Sequence, residues 1–249
     1  MIDRARVDEK AAETMTLEIE AKLTIPDQAT FNRLLAIPAL GAYMLGPVQM
    51  TSVVDCFYDT VDMAMLYRGY ACRLRHEGSR VIAAMKEVGR AADGIHRREE
   101  LEVATPEGAD PSTWPESQAR ALALALTRGR PLITLFELHQ RRHRRAVRQA
   151  LRSVGQLSLD EVAVFLEERT LSWLELEIEL TGGEVSDLLT LSDLLQQAFG
   201  LCPQPKSKFA RALEWRRQVL VPTLDVLPIQ PLERGDISPA GWWSESSPP

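Results

Sequence analysis

Cysteine is scarce in this chain of 249 residues: Cys56, Cys72 and Cys202 are the whole set. No two stand at CxxC spacing, which argues against a disulfide framework and reads as reduced thiols in a cytoplasmic protein. Histidine is equally thin. His76, His96, His139 and His143 form no HExxH motif and no Cys/His cluster, so a zinc centre is not expected. No apolar run is long enough to span a bilayer, and the amino terminus mixes charges of both signs before apolar residues accumulate, unlike a signal peptide. A basic excess is missing as well: the net charge is −6, whereas a nucleic-acid surface needs cations to displace counterions from phosphates. These absences lead to an expectation of a soluble cytoplasmic protein with no nucleic-acid and no membrane partner.

What is present suffices for one core, with 45% hydrophobic residues and 26% charged. Residues 1–15 read as a flexible extension, 16–219 as one folded unit, and 220–249 as an irregular tail rich in proline. Neither an internal repeat nor a second domain is visible.

The dominant period is two. From Thr16 to Ile25, Leu17, Ile19, Ala21 and Leu23 alternate with Glu18, Glu20 and Lys22. Further strands are expected over 49–58, 70–76, 80–87, 96–104, 135–151, 156–165 and 171–181, with Glu-Gly-Ser at 77–79 as a hairpin turn. Cys56 and Cys72 fall within two of these and read as core residues. Helices are expected after Pro26-Asp27 (with the proline at a starting position), over 116–126, 184–199 and 206–218. The fold class that follows is α+β, a closed antiparallel β-barrel or tunnel of about eight strands with flanking helices.

The polar faces of these strands hold almost nothing but full charges. Arg73 and Arg75 share one face, Arg142 and Arg144 another, and Glu175, Glu177 and Glu179 a third, while Lys86, Arg98, Glu100 and Glu102 extend the set. A solvated face usually mixes in Ser, Thr, Asn and Gln. A barrel of about eight strands encloses room for one small ligand. Carboxylates on one wall and Arg/Lys on another suit a polyphosphate with a divalent metal, because the cations grip phosphate oxygens and the metal relieves carboxylate repulsion. Residues i and i+2 on a strand lie about 6.6–6.8 Å apart, so a Glu-x-Glu pair can share one hydrated Mg²⁺.

Glu18-Ile-Glu20-Ala-Lys22 resembles the Glu-x-Glu-x-Lys motif of the CYTH domain, the fold of the triphosphate tunnel metalloenzymes. Phe57-Tyr58-Asp59-Thr60, Arg73-Leu-Arg75, Lys86, Arg98-Glu-Glu100-Leu-Glu102, Arg142-His-Arg144, Asp160, Glu177-Ile-Glu179 and Lys206-Ser-Lys208 follow in that family's order over residues 16–216. The resemblance implies a closed tunnel and a metal-dependent triphosphatase, with inorganic tripolyphosphate as the leading substrate because no base-stacking pair stands out. Adenylate cyclase, thiamine triphosphatase and a non-catalytic polyphosphate-binding module are the alternatives. It implies Glu18, Glu20, Asp160, Glu177 and Glu179 as ligands of Mg²⁺ or Mn²⁺, with Glu175 open as a substitute for Glu179. Arg73, Arg75, Lys86, Arg98, Arg142, Arg144 and Lys208 would grip phosphate oxygens, and Lys22, Glu18, Glu20 and Arg75 would form the catalytic group. Arg141, Arg145 and Lys206 divide evenly between surface charges and phosphate contacts. Two departures stand out: position 84 is alanine where a polar residue is expected, and no helical phosphate-binding domain follows the match.

Overall fold

A strand with one apolar and one charged face satisfies both only when each meets a different medium, and here the two media are an outer layer of helices and an enclosed lumen. The computed structural model describes residues 13–89, 95–105, 108–166 and 168–220. In chain order these form β1 (Glu13–Ile25), α1 (Gln28–Ala36), β2 (Ala39–Leu40), β3 (Tyr43–Leu45), β4 (Gln49–Thr60), β5 (Tyr70–Glu77), β6 (Arg80–Glu87), β7 (Ile95–Ala104), α2 (Gln118–Thr127), β8 (Leu132–Gln149), β9 (Arg152–Leu166), β10 (Arg169–Leu180), α3 (Val185–Phe199), β11 (Cys202–Pro203) and α4 (Lys208–Leu220).

Eight strands run β8-β4-β5-β6-β7-β1-β10-β9, and the pairing of β9 with β8 closes the ring. Each pairing is antiparallel. Closure leaves no barrel edge open, which removes the hazard of unpaired strands. The three short strands are appendages: β3 pairs with the end of β8, β2 with β3, and β11 with β1.

Three helices cover the outside. Phe31 and Leu34 of α1, with Leu188, Leu191 and Leu195 of α3, pack on Leu23, Leu157, Leu159, Leu176 and Ile178. Ala119 and Ala123 of α2 pack on Cys72, Leu74, Ala83, Met85 and Val103. The fourth helix differs. Phe209, Ala212 and Leu213 of α4 meet Phe136, Leu138, Val162 and Val164, which share the inward faces of β8 and β9 with Gln140 and Asp160. The inner wall is therefore apolar over the part that α4 occupies and charged elsewhere.

Local signals place the helix ends. Asp27 caps α1 by accepting from the Thr30 amide at 2.7 Å, so Pro26 precedes the helix instead of occupying its first turn. At α3, the Glu184 amide donates to Asp187 at 2.8 Å, and Gly200 closes the helix in the left-handed region. Gly78, at φ 61°, makes the two-residue turn between β5 and β6. Cys56 and Cys72 are buried, and Cys202 is exposed. Among the described residues no helix is long and apolar enough to cross a membrane. Most of the amino-terminal extension and the proline-rich tail (1–12 and 221–249) lie outside the described residues, and β1 already runs from Glu13.

One close approach makes a mutational test. At Gly155 on β9 an added Cβ would overlap the carbonyl oxygen of Glu179 on β10, and neither backbone can yield without disturbing the ladder. We expect Gly155→Ala to cost about 1–3 kcal/mol, the range for overpacking, seen as a lower urea midpoint. An unchanged midpoint would show that the two strands do not meet this way.

Candidate functional site

The barrel encloses a void of about 90 Å³ lined by Glu18, Glu20, Lys22, Arg73, Arg75, Lys86, Arg98, Arg142, Glu177, Glu179 and Lys208. These come from six strands of the ring and from the first residue of α4, so no short stretch of chain holds the site. Period two does the local work. Glu18, Glu20 and Lys22 point inward because Ile19, Ala21 and Leu23, which alternate with them, are drawn to the helical layer. Leu17 is the exception on the apolar face, 63% exposed beyond the reach of α1 and α3.

Most cations in the lumen are bound to carboxylates of other strands. Lys22 is paired with Glu177 across the β1–β10 ladder and lies 3.1 Å from Glu20. Arg98 donates to Glu20. Lys86 reaches Glu18 at 2.6 Å and Glu100 at 3.1 Å. Arg73 donates to Glu100 at 2.7 Å and Glu102 at 3.1 Å. Arg142 forks onto Asp160 at 2.8 and 2.7 Å and adds Glu177 at 2.7 Å. Lys208 stands between Glu177 at 2.7 Å, Asp160 at 2.8 Å and Glu175 at 3.1 Å.

Burial and pairing pull these groups apart in acidity. Burial alone would raise Glu20, but Lys22 and Arg98 overcome it and bring its pKa down to about 2. Glu177 is likewise driven well below the usual range, because Lys208, Lys22 and Arg142 outweigh its burial. Glu18 goes the other way. Burial, together with the neighbouring Glu100 and Glu20 and a side-chain hydrogen bond to Glu100, pushes it up to about 7 against the pull of Lys86. Glu179 is also raised, by burial and by Glu20 and Glu177; among the described residues it makes no hydrogen bond or ion pair. Burial works against the charge on Lys208, yet Asp160, Glu175 and Glu177 hold its pKa above the usual lysine range.

Six of the candidate residues named from the sequence sit elsewhere than on the cavity wall. Asp160 is fully buried behind Arg142 and Lys208 and does not line the void. Glu175, the substitute for Glu179, is also fully buried, bound to Lys208, to Arg211 at 3.1 Å and to the Trp173 indole at 3.0 Å. Arg144 is turned to Glu77 at 3.0 Å and lies outside the lining. Arg145 is buried but donates to the carbonyls of Gly46 at 2.8 Å and Ile37 at 2.7 Å, tying β8 to the chain after α1. Arg141 and Lys206 are exposed, facing Glu161 at 3.5 Å and Glu214 at 2.7 Å.

Three features of the site carry no clear mark in the sequence. Asp55 and Gln140 line the cavity, although they read as ordinary strand residues; their position two residues before Phe57 and before Arg142 is the only signal that could have found them. The cavity is also not all charge, because Phe57, Ala71, Val88 and Phe209 line part of it, with the Phe57 and Phe209 rings 5.1 Å apart. The alanine at 84 has a local explanation. It pairs with Arg73 on one side and Glu102 on the other, and a larger inward side chain there would stand where Arg73 crosses to Glu102.

A closed antiparallel ring with sorted lysines, arginines and carboxylates inside defines a charged-tunnel barrel. The CYTH domain model matches residues 16–213, and the chain belongs to that family. Its fold is shared with a Hippeastrum protein provisionally assigned as an adenylyl cyclase and described as having a dominant triphosphatase activity, at 20% identity and a TM-score of 0.58, over 80% of this chain and 96% of that one. It is similar too to a Bacillus halodurans protein provisionally assigned as an adenylate cyclase, at 18% identity and a TM-score of 0.54, over 79% of this chain and 97% of that one. A Pyrococcus horikoshii protein matches at 16% identity and a TM-score of 0.50, over 79% and 99% of the two chains.

The raised Glu18 gives a pH test. Unfolded, it ionises near the ordinary 4.5, and folded it holds its proton to about 7. The stability it contributes is thus present below about pH 4.5 and lost as pH rises through 7. Glutamine at this position cannot ionise. We expect the stability of the unmodified protein relative to Glu18→Gln to fall by up to about 3 kcal/mol between pH 4.5 and 8, read by urea denaturation. A difference that is flat across this window would contradict the assignment.

Proposed function

We propose that the lumen binds a triphosphate with a divalent cation and hydrolyses its terminal phosphoanhydride bond. The observation that carries this reading is the convergence of Lys22, Arg73, Arg75, Lys86, Arg98, Arg142 and Lys208 on one small cavity. A single carboxylate ligand would not use so many cations, whereas a triphosphate offers oxygens along its length. Arginine forks suit two phosphate oxygens at once, and lysine supplies a compact charge. An entering triphosphate takes over bonds that Arg98, Lys86 and Lys22 make to carboxylates, so exchange of partners accompanies binding.

Oxygen donors suit Mg²⁺ or Mn²⁺. Among the described residues no three carboxylates form a ready-made coordination group. The donors that fit best are Glu18, Glu20 and Glu179. Glu20 and Glu179 are direct partners across the β1–β10 ladder, and Glu18 and Glu179 are pushed toward the protonated form by burial and then by neighbouring carboxylates, whose repulsion a dication would relieve. Glu177 and Asp160 already serve Lys22, Arg142 and Lys208, so we assign them to holding those cations in place. When bound, the metal supplies charge neutralisation and a positioned water. Lys22, Arg75 and the other cations stabilise the charge that spreads over the transferring phosphoryl oxygens as water displaces pyrophosphate in line.

The first substrate we propose is inorganic tripolyphosphate. The apolar stretch formed by Phe57, Ala71, Val88 and Phe209 favours a second reading, in which the triphosphate carries an organic group, as in ATP or thiamine triphosphate. On ATP a cyclase outcome would yield cyclic AMP and pyrophosphate, and a hydrolase would yield ADP and phosphate. We place the protein in the cytoplasm with a small-molecule substrate and neither a nucleic-acid nor a membrane partner.

Purified protein is expected to release phosphate from at least one of these triphosphates with Mg²⁺ or Mn²⁺, to stop on chelation, and to recover when metal is restored. No turnover with any of them, alongside tight binding by calorimetry, would leave a non-catalytic polyphosphate-binding module in its place. Lys22→Ala is expected to cost about 2.7–4 kcal/mol of transition-state stabilisation, about the loss of one oxyanion donor, as a fall in kcat of roughly 10²–10³. A kcat within threefold of the unmodified enzyme would remove Lys22 from the catalytic group.

A further inference from the structure

An aspartate among phosphate-gripping cations needs a reason. Asp55, on β4, is buried on the cavity wall and accepts from Arg75 Nε at 2.7 Å and Nη2 at 2.9 Å, both prongs on one carboxylate. Gln140, its neighbour on β8, donates to the same carboxylate at 2.8 Å. Arg73 Nε stands 3.9 Å away. The carboxylate is held well below the usual range, since Arg75 and Arg73 outweigh its burial, so it stays charged and repels anions at working pH. In simple electrostatic terms it weakens the site.

We propose that Asp55 is a positioning residue for Arg75: it fixes the guanidinium plane so that the remaining N–H groups aim into the cavity. A fork held at Nε and Nη2 can no longer rotate about its last side-chain torsions, and Nη1 with the second Nη2 hydrogen is left to face a phosphate oxygen. Gln140 completes the device by pinning the carboxylate itself, and the pairing of β4 with β5 and with β8 brings all three groups to one side of the lumen. The repulsion Asp55 adds is offset by the orientation it supplies, which matters more for a bond that tightens only as charge develops on the phosphoryl group.

This inference rests on the proposed triphosphatase reading, and kcat is the quantity that separates it from a charge that merely opposes binding. Asp55→Asn removes a negative charge and half of the fork's acceptor. If Asp55 only repelled substrate, KM for tripolyphosphate would fall and kcat would hold. Positioning instead predicts a fall in kcat of roughly 10- to 100-fold, the scale of a misplaced catalytic group, with KM unchanged or lower. It also predicts that adding Arg75→Lys to Asp55→Asn costs little further, because the two act as a unit.

Gln140→Leu, which keeps every charge, is expected to lower kcat in the same direction by a smaller factor, and it guards against an Asp55 variant that fails to fold. Unchanged kcat in folded Asp55→Asn and Gln140→Leu, or fully additive losses with Arg75→Lys, would overturn the proposal. If the unmodified protein turns over no triphosphate, the same cycle is run on tripolyphosphate affinity by calorimetry. Coupling between Asp55 and Arg75 would then support the device although the hydrolase reading had failed, and strict additivity would overturn it.

Discussion

Everything in this protein depends on the mutual neutralisation of charges that have been taken out of water. Glu20, Lys22, Arg73, Arg98, Glu100, Asp160, Glu175 and Glu177 are all buried, and each would be prohibitively costly alone. They are tolerable because carboxylates on β1, β7, β9 and β10 face cations that arrive from other strands. Lys208, from α4, closes the set by meeting Asp160, Glu175 and Glu177 together. Breaking one such pair leaves an uncompensated charge buried in the lumen.

Neutralisation is uneven, and the unevenness separates two kinds of carboxylate. Glu177, Asp160 and Asp55 are locked by two or more cations and lie below the usual acidity range. Glu18 and Glu179 are under-compensated and raised. The first group acts as scaffold for arginines and lysines. Within the one acidic row of β10, Glu177 and Glu179 stand two residues apart yet fall into different groups.

Much of this architecture was legible in the chain. Strict alternation in Thr16–Ile25 and in Leu171–Thr181 gave strand, register and face together, since a slip of one residue would send Leu176 and Ile178 into the lumen and Glu177 into the helical layer. The ordered motifs from Glu18 to Lys208 marked which faces share a site. Other parts were not legible for a local reason. Asp55 and Gln140 carry no pattern of their own, and their role appears only where β5 brings Arg75 beside them. Arg145 reads like its neighbours Arg142 and Arg144, yet odd parity turns it to the outer side, where backbone carbonyls receive it.

By itself the sequence determined the two-residue period, the separation of apolar from charged faces, and the membership of each charge in a row. Those properties follow from side-chain chemistry acting over neighbouring residues. Only the tertiary structure decided which row meets which, that α4 lays Phe209 and Lys208 into the barrel, that Arg144 turns to Glu77, and that Glu179 is left, among the described residues, without a cation of its own. The pairings of β4 with β8 and of β1 with β7 and β10 set those distances, and they join segments that no short stretch of chain contains.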